Sequence, residues 1–307
     1  MMTRLLRLLT TAAALLLFAL PAHAQVAEVD IITPHITDAH EIEVPWPTWP
    51  TMHKVVHLPR WTTFTLPGTQ VVVDMSPTKH VVWMLIAALT ICLLLIFAAN
   101  AQRRQTRTIG HAKGLAGGIE AMVLYIRNEV IIPNVGHHGN GFVPFLLTLF
   151  FFILFCNLWG IFPWGSTATG NIAVTATLAG MTLLVVEVAG IRAQGIGYLN
   201  TIFYWNKDLN IVLRVLLFVI LSPIEFIGKL TKPFALAIRL FANMTAGHIV
   251  VLALIGMIFS FKSLASGAPF LMAVAINMLE LFVAFLQAFI FTILTSVFIG
   301  QIREAHH

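Results

Sequence analysis

The chain has 307 residues, of which 58% are hydrophobic and only 10% are charged. Soluble domains carry about 25% charged residues, so this composition excludes an ordinary soluble fold and favours an integral membrane protein. The net charge of +5 is small and lies mostly in loops, which indicates membrane topology rather than nucleic-acid binding.

The first 24 residues have the pattern of a signal peptide. Arg4 and Arg7 form a basic start, a short apolar core follows, and Ala22–Ala24 is a small-residue cleavage signal. The alternative is a short first transmembrane helix. We expect cleavage before Gln25, with an exported mature N-terminus in a bacterial inner membrane.

Residues 25–79 are polar and rich in proline and tryptophan, and we predict that they form an exported N-terminal segment. Two runs, 60–65 and 70–74, flank a turn and predict a small β-hairpin. The histidines of this segment follow no standard metal-ligand spacing, and we interpret them as solvated loop residues, with no metal or cofactor expected. They are His35, His40, His53 and His57.

Residues 80–307 predict a membrane domain with about five transmembrane helices and one amphipathic helix. The first three predicted spans are 80–99, 142–162 and 172–191. The moderately apolar stretch 112–132 predicts a helix lying on the membrane surface, and 133–141 a turn. Basic residues after the first and third spans and at the C-terminus place those ends in the cytoplasm by the positive-inside rule.

The last two apolar stretches, 210–260 and 270–302, are longer than a helix perpendicular to the membrane requires. The first of them contains Pro223 and Pro233. We therefore predict two long helices that tilt and kink. The predicted fold class is an all-α integral membrane protein preceded by a small exported β-hairpin region.

Arg239 lies inside the first of these long apolar stretches. A guanidinium stays charged in proteins, and near a bilayer centre it costs at least about 2.5–3.5 kcal/mol. It therefore indicates a partner or a wet path. Five further polar groups occupy the same two helices: Glu225, Asn243, His248, Glu280 and Gln287.

Helical spacing relates these groups to one another. Glu225 and Arg239 fall on one stripe of an ideal helix but about 21 Å apart along it, so they do not pair directly. Asn243 is one turn from Arg239 on the same face and is placed to orient it. A proton path needs groups that accept and release protons, such as carboxylates and histidine, whereas a barrier to leakage needs a group that cannot release one. Arginine fits the second role.

Each of these residues also has a structural interpretation. Glu225 and His248 fit helix-pairing roles, and Glu280 is harder to explain in that way. Glu187, near the end of the third span, is interpreted mainly as an interfacial residue or structural partner. Asn157 is left open between a helix-packing contact and part of a wet vestibule.

Three segments resemble subunit a of the F-type ATP synthase. They are Leu221–Pro233, Leu236–His248 and Leu286–Thr295, and weaker agreement runs through Asn157–Pro163. The resemblance covers roughly residues 81–302, and its last two segments are highly specific. The region before His80 is not typical of the family core.

The resemblance implies a non-catalytic stator subunit that faces a rotating ring of c subunits, each with a buried carboxylate. It also implies peripheral-stalk b subunits as partners and two aqueous half-channels that couple proton flow to rotation and ATP synthesis. The family arginine matches Arg239, its neighbouring asparagine Asn243, and the glutamine of the last helix Gln287. The half-channel pair matches His248 and Glu280, and the upstream acid matches Glu225. The choice between protons and sodium depends largely on the ring and stays open.

Two other classes of protein compete with this interpretation. A secondary transporter would hold an anionic substrate at Arg239, but it should show two similar halves, and no internal repeat is visible. A haem-binding electron carrier needs facing histidine pairs, and only His248 lies deep in a span. A membrane enzyme fits least, since no nucleophile–base or metal spacing is present.

Overall fold

The computed structural model describes residues 37–45, 53–61, 63–65, 72–109, 113–136, 139–162, 165–198, 203, 210–261 and 266–304. The predicted signal peptide and His35 lie outside these residues.

The N-terminal segment contains two short antiparallel hairpins. Strand β1 (Glu41–Pro45) pairs with β2 (His53–His57), and β3 (Phe64–Thr65) pairs with β4 (Val72–Val73). The β3–β4 pair lies where the sequence predicted a hairpin, although each strand has only two residues. The longer β1–β2 hairpin was not predicted. The segment is tied to the membrane domain where the Lys79 amide donates to the Ala39 carbonyl at 2.9 Å.

Most of the rest of the described chain is helical. The α-helices are α1 (Lys79–Ile109), α2 (Gly114–Tyr125), α3 (Ile132–Val135), α4 (Val143–Ile161), α5 (Ile172–Gln194), α6 (Ile211–Phe261) and α7 (Gly267–Glu304). A π-helical stretch (Ile126–Ile131) joins α2 to α3, and 3₁₀ turns occupy Gly139–Phe142, Ala168–Gly170 and Gly195–Tyr198. By length and composition, five helices of the described chain can cross a membrane: α1, α4, α5, α6 and α7. The all-α class and the five predicted spans are confirmed.

Two boundaries differ from the sequence prediction. Helix α1 continues past residue 99 through the basic cluster to Ile109, because a helix need not end where the bilayer does. The predicted turn at 133–141 begins as the short helix α3, which accepts Pro133 in its first turn because that position needs no amide donor. Gly136, with φ of 77°, then ends this helix.

Helix α6 is one continuous element of 51 residues that contains both Pro223 and Pro233. At 1.5 Å per residue it is about 76 Å long, more than twice the roughly 30 Å of a bilayer's hydrocarbon core. A helix of this length has to run obliquely or along the membrane surface for part of its course.

The core lies around α4, which packs against α1 and α7, while α6 packs against α5 and α7. The largest fully buried side chains of α4 and α7 include Leu146, Phe151, Leu154 and Phe291. In the most apolar part of α4, 50% of the residues are buried, whereas in that of α6 only 6% are. Helix α6 therefore presents most of its apolar surface away from the rest of the described chain.

Candidate functional site

Arg239 is exposed on the free face of α6. No hydrogen bond or ion pair of its guanidinium is found among the residues that the structure describes. Asn243 is exposed one turn further along the same face, and the small residues Ala235, Ala242 and Ala246 are exposed beside them. The described part of the chain therefore leaves this charge available to a group outside it.

Glu280 on α7 is half-buried and lies against Gly247 on α6. A Cβ atom at Gly247 would overlap the Glu280 Oε1 atom and would lie 3.0 Å from both Cγ and Cδ. The absent side chain thus lets the carboxylate approach the α6 backbone beside His248. Gln287, two turns along α7 from Glu280, is buried, with 5% of its surface exposed.

One small cavity, here called the histidine cavity, has a volume of about 10 Å³, near the minimum for one water molecule. It is lined by His80, Ser166, Thr167, Gly170, Met244, Thr245 and His248. His80 is the second residue of α1 and His248 belongs to α6, so the cavity joins the start of the membrane domain to the predicted channel helix.

Asn157 lies inside the helix packing beside this region and is 1% exposed. The Thr169 hydroxyl donates to its Oδ1 atom at 2.6 Å, and its Nδ2 atom donates to the Ala284 carbonyl at 3.3 Å. Its amide therefore joins α4 to α7 and to the 3₁₀ turn before α5.

A second cavity, here called the lysine cavity, has a volume of about 240 Å³. It is lined by Thr182, Leu183, Val186, Glu187, Glu225, Lys229, Lys232, Pro233, Phe298, Gln301 and Ile302. Its walls come from α5, α6 and α7, and Glu225 and Glu187 both reach it. It has room for several water molecules, at roughly 30 Å³ each in the liquid.

A polar cluster stands in the wall of the lysine cavity. The Lys229 ammonium lies 3.8 Å from Glu187 Oε1 and donates a hydrogen bond to the Tyr198 hydroxyl at 2.7 Å. That hydroxyl in turn donates to Glu187 Oε2. Burial, together with the hydrogen bond to Glu187 and the nearby charges of Glu187 and Glu225, raises the pKa of the Tyr198 phenol above its usual 10. The phenol therefore stays protonated and keeps donating throughout the physiological range.

Arg239 lies between the two cavities along α6. Lys229 comes ten residues before it and His248 nine residues after it, or about 15 Å and 14 Å along the helix. Between Lys232 and His248, α6 carries no other ionisable side chain. A polar site thus exists on each side of a single fixed charge.

Three of these residues were missed by reasoning from the sequence: Lys229, Tyr198 and His80. The sequence does point to Lys229 as unusual, because it is a charged residue in an apolar stretch. However, it lies four residues after Glu225, and that spacing suggests an ion pair within one helix. Its ion pair with Glu187 spans two helices, and no local pattern encodes that contact.

Comparison with known proteins identifies the family of this chain. The sequence model of the family described as ATP synthase A chain matches residues 81–300. The protein named ATP synthase subunit a of Chloroherpeton thalassium is 44% identical over 268 residues, which cover 87% of this chain and 74% of the relative.

Two further relatives extend the comparison. ATP synthase subunit a 2 of Chlorobium luteolum is 42% identical over 94% of this chain and 83% of its own length. ATP synthase subunit a of an Anaeromyxobacter species, strain Fw109-5, is 48% identical over 76% of this chain, which spans 56% of that relative. With a family match over most of its length and relatives of this similarity, the chain belongs to the ATP synthase A chain family, whose matched members are named subunit a.

Proposed function

We propose that this chain is the proton-translocating stator subunit in the membrane sector of a bacterial F-type ATP synthase. Its face of α6 around Arg239 packs against the c-ring, and its other partners are the peripheral-stalk b subunits and the lipid bilayer. In the orientation that the sequence predicts, with the N-terminus exported and the C-terminus cytoplasmic, the histidine cavity lies towards the outer side and the lysine cavity towards the cytoplasmic side.

One observation carries the proposal. The Arg239 guanidinium is exposed, has no ionic partner among the described residues, and lies along α6 between two cavities that are lined in part by ionisable side chains. A charge within a membrane span is tolerated when it meets a partner or lines a wet path. A mobile carboxylate on a neighbouring subunit supplies that partner, and small residues beside Arg239 let the neighbour's helices approach closely.

Proton transfer follows from the cost of burying charge. A ring carboxylate crosses lipid only when it is neutral. Near Arg239 the opposite charge stabilises the ionised form, so the carboxylate releases its proton there. The guanidinium cannot release a proton itself and so blocks a direct path between the two sides.

The remaining polar residues divide between two half-channels. His248 and Glu280 deliver protons to the ring from the outer side. Glu225, in the wall of the lysine cavity, accepts protons on their way to the cytoplasm. Asn243 and Gln287 hold the ring carboxylate and the guanidinium in position relative to each other. A membrane potential biases the direction by about 2.3 kcal/mol per charge per 100 mV.

The decisive experiment compares R239A with R192A in the assembled ATP synthase in inverted membrane vesicles. Arg192 is an exposed basic residue at the end of α5, which makes it a matched control. We expect R239A to insert and assemble but to lose ATP-driven proton pumping, and R192A to pump normally. Normal pumping by assembled R239A would remove the proposal.

A further inference from the structure

We propose that His80 and Asp38 form the outer end of the proton path, as a relay that passes protons from the exported segment to the histidine cavity and His248. This inference rests on the proposed function and deepens it. It assigns a role to the N-terminal segment, which is not typical of the family core, and to a histidine outside the helices that carry the other channel residues.

His80 is almost completely enclosed, with 3% of its surface exposed. Its Nδ1 atom is hydrogen-bonded to the Ser166 hydroxyl at 3.1 Å, inside the protein. Its Nε2 atom lies 3.9 Å from Asp38 Oδ1 on the opposite side of the ring. The imidazole therefore has a different polar neighbour on each nitrogen, which is the arrangement that a proton shuttle requires.

Asp38 connects this ring to solution. Its side chain is 34% exposed and accepts a hydrogen bond at 3.2 Å from Asn171, which caps the first turn of α5. A carboxylate in this position collects protons from water and lies beside a histidine that water hardly reaches.

On the inner side, the histidine cavity continues the path. Ser166, Thr167 and Thr245 supply hydroxyl groups to its lining, and His248 lines it as well. Its volume of about 10 Å³ matches roughly one water molecule, which together with these hydroxyl groups would connect the two histidines. Glu280, packed at Gly247, is the next acceptor after His248.

The transfer balances proton by proton. A proton from solution reaches Asp38 and moves to His80 Nε2. The imidazolium then gives its Nδ1 proton through Ser166 and the cavity to His248. One proton has advanced, and the ring is left neutral, ready to return to its first tautomer. Among the described residues, the titratable groups near His80 include Asp38 at its Nε2 atom, its chain neighbour Lys79, and His248, which lines the same cavity. The His40–Asp74 pair, at 3.8 Å, is the next pair in the same segment.

The test uses the complete ATP synthase in proteoliposomes and measures ATP synthesis driven by an imposed proton gradient, over a series of pH values on the outer side. The variant is H80Q, which keeps a hydrogen-bonding amide but cannot titrate. The control is H57Q, since His57 is an exposed histidine of β2 paired with Glu41 at 3.1 Å. Rates are normalised to assembled complex.

We expect H80Q to slow synthesis at least about tenfold, in keeping with the loss of a proton-transfer group, and to abolish a titration step in the pH profile. H57Q should match the wild type. D38N should slow synthesis less and shift the profile, because water reaches its position. If H80Q fails to assemble, D38N replaces it in the test. A slower rate with a shifted pH profile supports the relay, and the wild-type rate and profile would overturn it.

An H80Q enzyme with the wild-type rate and pH profile would overturn the relay. R239A, measured in parallel, separates this failure from a larger one. If R239A is inactive while H80Q is normal, only the relay is wrong, whereas an active R239A enzyme would refute the proposed function itself.

Discussion

The Lys229 ammonium donates a hydrogen bond to the Tyr198 hydroxyl and lies 4.1 Å from the centre of the same aromatic ring. The phenol donates onward to Glu187, so one tyrosine joins the middle of α6 to α5. Side chains of Lys229 and Glu187 are only 13% and 28% exposed, so water screens this contact weakly. The cluster fixes the wall of the cavity into which Glu225 projects.

Replacing Lys229 by methionine should destabilise the protein, because Glu187 would lose a cationic partner while remaining half-buried. Hydrogen bonds to charged groups contribute about 1.5–3 kcal/mol, and we expect a loss of that order. The measurement is the apparent unfolding temperature of the detergent-solubilised complex. The control is K113M, at an exposed lysine before α2. Equal unfolding temperatures for the two variants would show that the cluster is unimportant.

If Glu280 delivers protons as proposed, Glu280→Gln should slow proton uptake through the proposed outer half-channel, since an amide fills the same space but cannot exchange a proton. The measurement is proton flux through the assembled complex over a series of pH values. E129Q, at an exposed glutamate of the π-helical stretch, is the matched control. A flux that is unchanged at every pH would make Glu280 a structural residue.

Gly300→Ala should destabilise the contact between α7 and α3. A Cβ atom at this position would overlap the Asn134 carbonyl oxygen and lie 3.1 Å from the Asn134 carbonyl carbon, and backbone atoms cannot move aside as a side chain does. Overpacking of this kind costs about 1–3 kcal/mol.

The control for Gly300 is Gly180→Ala on α5, where a Cβ atom meets nothing within 4 Å. Alanine suits a helix better than glycine by about 0.5–1 kcal/mol, so this variant should be neutral or slightly more stable. The measurement is the thermal unfolding temperature of Gly300→Ala and Gly180→Ala in the same detergent. Two identical unfolding curves would contradict the packing argument.

Asp74 supplies a prediction about pH. A hydrogen bond from the Ser76 hydroxyl, followed by one from the Ser76 amide and the charge of His40, holds the pKa of this exposed carboxyl below 3.8. The ionised carboxylate therefore stabilises the folded segment above pH 3.8. This stabilisation is lost only as the pH falls through the lower pKa of the folded state. Amide exchange at Ser76 should keep its protection from pH 7 to pH 5.

The matched variant is D74N at pH 7, which removes the charge and should raise exchange at Ser76, whose amide donates to Asp74 at 2.8 Å. Exchange at β1, in the other hairpin, is the internal control. Loss of Ser76 protection in the wild type between pH 7 and pH 5 would mean that the pKa of Asp74 lies above its usual value and not below it.

The spans were predictable because long apolar runs leave few alternatives for a backbone that must satisfy its own hydrogen bonds in lipid. The shared face of Arg239 and Asn243 followed from helical spacing alone. The β1–β2 hairpin was missed because Pro45 and the prolines that follow it favour loops, yet Pro45 is tolerated at the end of a strand.

Contacts between distant elements were beyond the sequence for a different reason. Glu187 and Lys229 are 42 residues apart, and Gly247 and Glu280 are 33 apart, so each contact depends on how separate helices cross. The π-helical stretch at Ile126–Ile131 likewise has no local composition that distinguishes it from an α-helix. Such features depend on packing, which periodicity does not describe.

The exposed guanidinium of Arg239 also has a consequence for the polypeptide before it assembles. Under the proposed function, a newly inserted copy that is still alone presents to lipid a cation that no described residue of its own neutralises, so it is destabilised until the ring packs against it. Copies made in excess of the rotor should therefore be short-lived, and the stoichiometry of the complex would be enforced by the chemistry of a single side chain.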